Sequence, residues 1–249
     1  MRVLVGNELY KSFRSKKIYI ILLILFAVTL LTGIMIKHDK DLEESGLIEK
    51  YGGPMFPVTN LYGITEILFP IFIILFVTAM ITDEYQNGTF KLPLLHGCTR
   101  SQMFHAKLLS QFSLIVILFL STFIFSYISG TILWGSKVFS YNEFIAGLKR
   151  YGLTLLPFLA FTLVVYFIGL NISNSGIAIG TALTLVFVSA IIGQFLKEAN
   201  PYLITFYFKA FLLDLTNAEI IKGCFVSFGY GLLFYGLSRF SLANMDILK

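Results

Sequence analysis

Residues 61–82, LYGITEILFPIFIILFVTAMIT, form a long apolar run whose only charge is Glu66. A helix rises about 1.5 Å per residue, so roughly 20 such residues cross the ~30 Å hydrocarbon core of a bilayer. In lipid every backbone N–H and C=O needs a partner inside the protein, which makes the run a helix. The residues show no alternation of period two, so they do not fit the strand of a membrane β-barrel.

Runs of the same kind recur on both sides. Together they predict spans near Ile18–Ile36, Leu61–Thr82, Leu108–Leu133, Tyr151–Leu170, Ile177–Leu196 and Ile220–Arg239. The expected fold class is an all-α membrane protein with six transmembrane helices. Composition agrees: 57% of the 249 residues are hydrophobic and only 13% charged, about half the charged share of a soluble chain. One membrane domain, residues 1–249, is expected, with no soluble domain and no internal repeat.

The formal net charge is +5, and its placement points to lipid rather than nucleic acid as the anionic partner. Arg2, Lys11, Arg14, Lys16 and Lys17 all precede the first apolar run. Such a cluster marks a cytoplasmic N-terminus held at an anionic leaflet. A cleaved signal peptide fits these residues less well than a retained anchor helix, because the apolar run is long and no small-x-small site follows it. Val5, Leu9 and Phe13 recur every four residues, with Asn7, Lys11 and Arg14 off that stripe, so residues 1–17 read as an interfacial helix. A disordered basic tail is the other reading. The loop from Lys37 to Asn60 is net acidic and is expected on the outside. Over the whole chain the six spans would put ten of the 19 Lys and Arg inside and nine outside, so the orientation rests mostly on the N-terminal cluster.

The segment 83–106 is dense in capping signals. Gly88 suits the residue that ends the second helix. Thr89 can N-cap a short helix over Phe90–His96, with Pro93 near its first turn. Gly97 would end that helix, and Thr99 with Gln102 reads as a capping box opening the next. The result would be a short transverse helix rich in Phe90, Leu92, Leu94 and Leu95 between two long ones. It either docks on another protein or lies on headgroups.

The pattern E-x-x-x-G-T-[apolar]-K…G-x-T-R…K, carried by Glu84, Gly88, Thr89, Lys91, Gly97, Thr99, Arg100 and Lys107, resembles the cytoplasmic loop of ABC-2-type ABC transporter permeases. The opening NELYKSFRSKK, with Glu8 and Leu9, is similar to the N-terminal elbow helix of that family. The likeness is greatest to the small six-helix subgroup that includes bacitracin-resistance and lantibiotic-immunity permeases. The resemblance implies two permeases, this chain with a second copy or a sibling, working with two P-loop ATPase subunits. It implies that 83–106 is a coupling loop contacting the ATPase through Glu84, Gly88, Thr89, Phe90, Lys91, Leu92, Leu94, Leu95, Gly97 and Arg100. Glu84 is implied to pair with basic groups of the elbow helix or of the ATPase. The resemblance further implies that 197–219 is an extracellular re-entrant segment, and that the cargo is an amphipathic or antimicrobial peptide exported from the cell or its membrane. The expected location is the cell membrane, multi-pass, with a cytoplasmic N-terminus.

No G-x-x-x-x-G-K-[ST] occurs, so no phosphate-cradling loop is present. The chain is therefore expected to be a transport subunit and no enzyme, carrying no cofactor, with ATP and Mg on the partner. Cys98 and Cys224 have no metal-ligand spacing, no metal is expected, and nothing in their placement favours a disulfide. Pro201 breaks the chain, and the apolar stretch 202–213, interrupted by Lys209, is short for a span; re-entry is the expectation and a seventh span the alternative. Glu66, alone among acids well inside a span, is either part of a substrate vestibule or a water-facing interfacial charge. Gly176 with Gly180, and Ser227 with Gly231, are small-xxx-small steps that allow close helix approach. The first pair is a candidate permease–permease contact. The hydroxyls of the third span, Ser110 to Ser129, follow no single stripe and are expected to bond their own helix. The rival function is an ATP-independent secondary transporter or channel, which would need charged or broken-helix sites near the midplane.

Overall fold

The computed structural model describes residues 2–39 and 51–245. Much of the acidic loop expected on the outside, residues 40–50, lies outside them. Among the described residues there is no strand, and six helices are long and apolar enough to cross a membrane. In chain order the helices are α1 (Arg2–Arg14), α2 (Lys17–His38), α3 (Phe56–Gln86), α4 (Leu92–Leu95), α5 (Arg100–Trp134), α6 (Tyr141–Asn171), α7 (Ser175–Phe195), α8 (Tyr207–Ala210) and α9 (Asn217–Asn244). The six long ones are α2, α3, α5, α6, α7 and α9. They overrun the apolar runs, most of all at α3, α5 and α6. Thr99 and Thr216 each form a capping box, and Asn174 caps α7 by accepting from the Ile177 N–H at 3.1 Å.

Helices α3 and α6 form the centre, with 67% of their most apolar windows buried. Helix α5 packs on both, α2 covers α5, α7 lies on α3, and α9 lies on α6. The outer pair, α7 and α9, have only 11% of those windows buried, so their flanks face lipid or another chain. Phenylalanines fill the centre. Phe69 sits 4.6 Å from Phe119, and Phe158 stacks on Phe208 at 4.2 Å. Pro70 and Pro157 lie inside α3 and α6, where surrounding helices tolerate the lost backbone bond.

The chain runs up and down, so the loops gather at two ends. The near end carries α1, the 87–99 loop and the end of α9. The far end carries residues 51–55, 135–140 and 196–216. At the far end the stretch 197–213 folds into 3-10 turns (Lys197–Tyr202 and Ile204–Phe206) and the one-turn α8. It does not form a seventh span-length helix. Tyr207, Phe208, Phe211 and Leu212 are all buried, so the segment is packed into the bundle by its aromatic side. Close approach to α9 makes this possible: a Cβ on Gly223 would lie 2.5 Å from the Phe211 ring and 2.6 Å from Tyr207.

Candidate functional site

At the near end, four charges from three helices form one cluster. Lys107 of α5 is 1% exposed and donates to Glu8 of α1 at 3.0 Å and to Glu84 of α3 at 2.6 Å. Its third donor position meets the Met80 carbonyl at 3.1 Å. Lys11 closes the square from α1, 3.2 Å from Glu8 and 3.1 Å from Glu84. Two cations face two anions, so the cluster is neutral and its buried carboxylates are satisfied, as burial of charge requires. Burial alone would pull the Lys11 ammonium down, but the Glu8 and Glu84 carboxylates outweigh it and hold its pKa above the ordinary lysine value.

The cluster explains α1. Its deepest residues are Glu8 and Ser12, one turn apart. Leu9 and Phe13 of the expected apolar stripe pack beside them, against the core. The helix is therefore fixed to the bundle by a charged contact, flanked by apolar ones. The sequence singles out Glu84, and Lys11 is a basic group of α1 beside it. It does not single out Lys107 as the centre of the cluster or Glu8 as its second anion. A signal is present all the same: Lys107 is a lone cation at the head of an apolar run, where an unpaired charge would be costly.

The 87–99 loop hangs from this cluster. Gly88 takes a left-handed φ of 67° and its N–H bonds the Tyr85 carbonyl at 3.1 Å, ending α3. Thr89 does not N-cap the next helix. Its hydroxyl instead donates back to the Glu84 carbonyl at 3.2 Å, satisfying an acceptor left free at the end of α3. The expected Phe90–His96 helix is a 3-10 turn, Thr89–Lys91, running into α4. Gly97, at φ 84°, ends α4, with Cys98 N–H to the Pro93 carbonyl and Gly97 N–H to Leu94, both at 3.1 Å. That pair of bonds is the Schellman pattern.

The apolar residues of the loop divide between two faces. Phe90 is buried, with the Lys107 ammonium 5.6 Å from its ring centroid and Tyr85 edge-on at 6.2 Å. Leu94 also packs on the core. Leu92 and Leu95 point away, 47% and 65% exposed. Lys91 is half-buried. Arg100 turns from the loop toward the C-terminus, where its Nη1 donates to the carbonyls of Leu242 (3.2 Å), Ala243 (2.7 Å) and Met245 (2.9 Å). A cation there satisfies the last carbonyls of α9 and opposes its dipole.

At the far end Glu66 does not stand alone. Lys209, from the segment after Pro201, reaches it at 2.6 Å. The pair opens onto a cavity of about 270 Å³ between α3, α7 and the 200–209 stretch, with Gln194, Asn200 and Thr205 among its walls. Arg150 holds the same segment through the Leu212 carbonyl at 2.9 Å and Asp214 at 2.6 Å. Gly180 on α7 has nothing within 4 Å of a notional Cβ, and Gly176 meets only Asn174 of its own cap. A Cβ on Gly231, by contrast, would touch Ala160 and Leu163 of α6, at 3.9 and 4.0 Å. The hydroxyls of Ser110, Ser113, Thr122 and Ser126 bond their own helix four residues back. Ser126 also accepts from the buried Asn60 amide at 2.8 Å.

Six apolar helices of spanning length, two of them tied to α1 by a charged cluster at one end, define a multi-pass membrane protein. The family model described as ABC-2 family transporter protein matches residues 4–190, well over half the chain, and the chain belongs to that family. It is an ABC-2-type permease, a membrane transport component of a family that typically works with ATPase subunits. The match takes in α1, the charge cluster and the 87–99 loop, and ends within α7. No curated protein matches the chain.

Proposed function

We propose that this chain is the permease subunit of an ATP-driven exporter in the cell membrane, with the near end in the cytoplasm. Two P-loop ATPase subunits supply ATP and Mg and hydrolyse the nucleotide. A second permease, a copy or a sibling, completes the pathway. The cargo class is an amphipathic or antimicrobial peptide, moved out of the cell or off the membrane. The Lys107 cluster carries this reading. It ties the 87–99 loop, through Glu84 and Phe90, to α1, α3 and α5 at once. A push on that loop is thus delivered to the spans as a unit rather than absorbed in a flexible hairpin.

In this reading Leu92 and Leu95 form the face offered to the ATPase, while Phe90 and Leu94 anchor the loop to the bundle. Glu66 and Lys209 stand at the outer mouth, where the 197–219 segment re-enters and caps the pathway. The test is to co-purify the chain with a P-loop ATPase encoded beside it and to measure ATP hydrolysis with and without permease. Leu92→Asp with Leu95→Asp is expected to abolish both co-purification and stimulation, leaving thermal stability in detergent unchanged. Unaltered stimulation in that variant, or peptide export that continues without any ATPase, would reject the proposal.

A further inference from the structure

A groove runs between α2 and α3, starting at the near end of the bundle. Ile20, Ile21 and Ile24 form one wall, Phe72, Leu75 and Phe76 the other, enclosing about 290 Å³. It opens to the lipid side, since Ile20, Ile24 and Leu75 are 58%, 36% and 41% exposed. The helical stretch from Phe72 to Asp83 is roughly 16 Å long at about 1.5 Å per residue. That is half of the ~30 Å hydrocarbon core, the depth of one leaflet.

With Lys16, adjacent in the chain, counted beside the lining pair Lys17 and Asp83, the mouth of the groove has two cations against one anion. Lys17 and Asp83 stand there, and their 3.5 Å contact is the longest ion pair among the described residues. Lys16 precedes Lys17 at the turn between α1 and α2, with a left-handed φ of 59° that a non-glycine residue adopts only under constraint. The N-terminus of α2 has neither a side-chain cap nor an acid in its first turn, so its free N–H groups add to the positive field. Asp83 is the one carboxylate among the groove's lining residues. Glu8 and Glu84, in the adjoining recess, are already held by Lys107 and Lys11.

We propose that this groove is a binding site for one anionic phospholipid, one of its two acyl chains between α2 and α3 and its phosphate on Lys16 and Lys17. An apolar trench one leaflet deep under a cationic mouth matches that molecule. A free phosphate would gain nothing from the walls. The orientation proposed above decides only which leaflet supplies the lipid, and a test in detergent does not depend on it.

The full chain, purified in detergent, is incubated with phosphatidylglycerol, phosphatidylcholine or inorganic phosphate, and native mass spectrometry reads the adducts. The expected result is one retained phosphatidylglycerol, preferred over phosphatidylcholine and undisturbed by phosphate. Lys16→Gln and Lys17→Gln should each weaken retention about fivefold. Ala79→Trp, which fills the groove, should weaken it to the level of phosphatidylcholine, and Leu75→Trp serves the same purpose from the exposed rim. Arg2→Gln, at the other end of α1, should change nothing, and a thermal melt checks that each variant is folded. Equal retention of the two lipids, displacement by phosphate, or retention indifferent to both tryptophans in folded protein would overturn the proposal.

Discussion

Lys107 sets the energetics of the near end. Its ammonium is withdrawn from solvent and shared between Glu8, 99 residues away in sequence, and Glu84, 23 away. A buried ion pair is no net gain over a well-packed apolar pair, but deleting one partner leaves a charge stranded, at a cost of about 3–5 kcal/mol. Lys107→Met is therefore expected to lower the thermal midpoint in detergent sharply, whereas Lys107→Arg keeps the charge and loses less. A midpoint unchanged in Lys107→Met would mean that water reaches the cluster. Gly223 is the second sensitive residue. Gly223→Ala drives a Cβ against Phe211 and Tyr207 and should loosen the 207–211 stretch, read as faster proteolysis or exchange there. Glu84 stands out in the sequence because it belongs to a local pattern. Lys107 closes the same pattern, but its part at the centre of the cluster depends on which helices end up side by side.

At the scale of elements, the helix ends flanking the 87–99 loop were legible because their capping chemistry is local. The Thr99–Gln102 box and the Gly88 and Gly97 stops fall where the residues predict. Thr99→Ala should cost about 1 kcal/mol, measured by denaturation in mixed detergent. The one misreading, Thr89 as an N-cap, has a simple cause. The 3-10 turn begins at Thr89 itself, which leaves the cap position to Gly88, and the hydroxyl donates back to the Glu84 carbonyl. Arg100 shows the opposite limit. The sequence marks it as part of the loop, yet its guanidinium closes α9, more than 140 residues on. Arg100→Ala is expected to speed amide exchange in the last turn of α9 while leaving α3 unchanged.

For the molecule as a whole, α7 and α9 are the open question that the fold poses, since most of their surface meets nothing in this chain. Gly180→Ile adds bulk where the chain itself has empty space. It should leave the monomer's melting unchanged and abolish permease–permease cross-linking if α7 is the contact. Normal cross-linking in Gly180→Ile would move the contact elsewhere. The Glu66–Lys209 pair is a different case. Both side chains are partly exposed, at 53% and 37%, so the pair is worth less than about 1 kcal/mol. Glu66→Gln should barely alter stability, and any larger loss in export would mark the pair as part of the pathway.

The sequence by itself determined the medium, the number of long helices, the Thr99 cap with the Gly88 and Gly97 stops, and the family pattern. All of these follow from hydropathy and from bonds between residues a few places apart, which no tertiary arrangement can greatly change. Only the tertiary structure decided which charges pair, which leucines of the loop face outward, and what stands opposite Glu66. Those outcomes turn on contacts between helices far apart in the chain, and a run of apolar residues carries almost no information about which neighbour it will lie against.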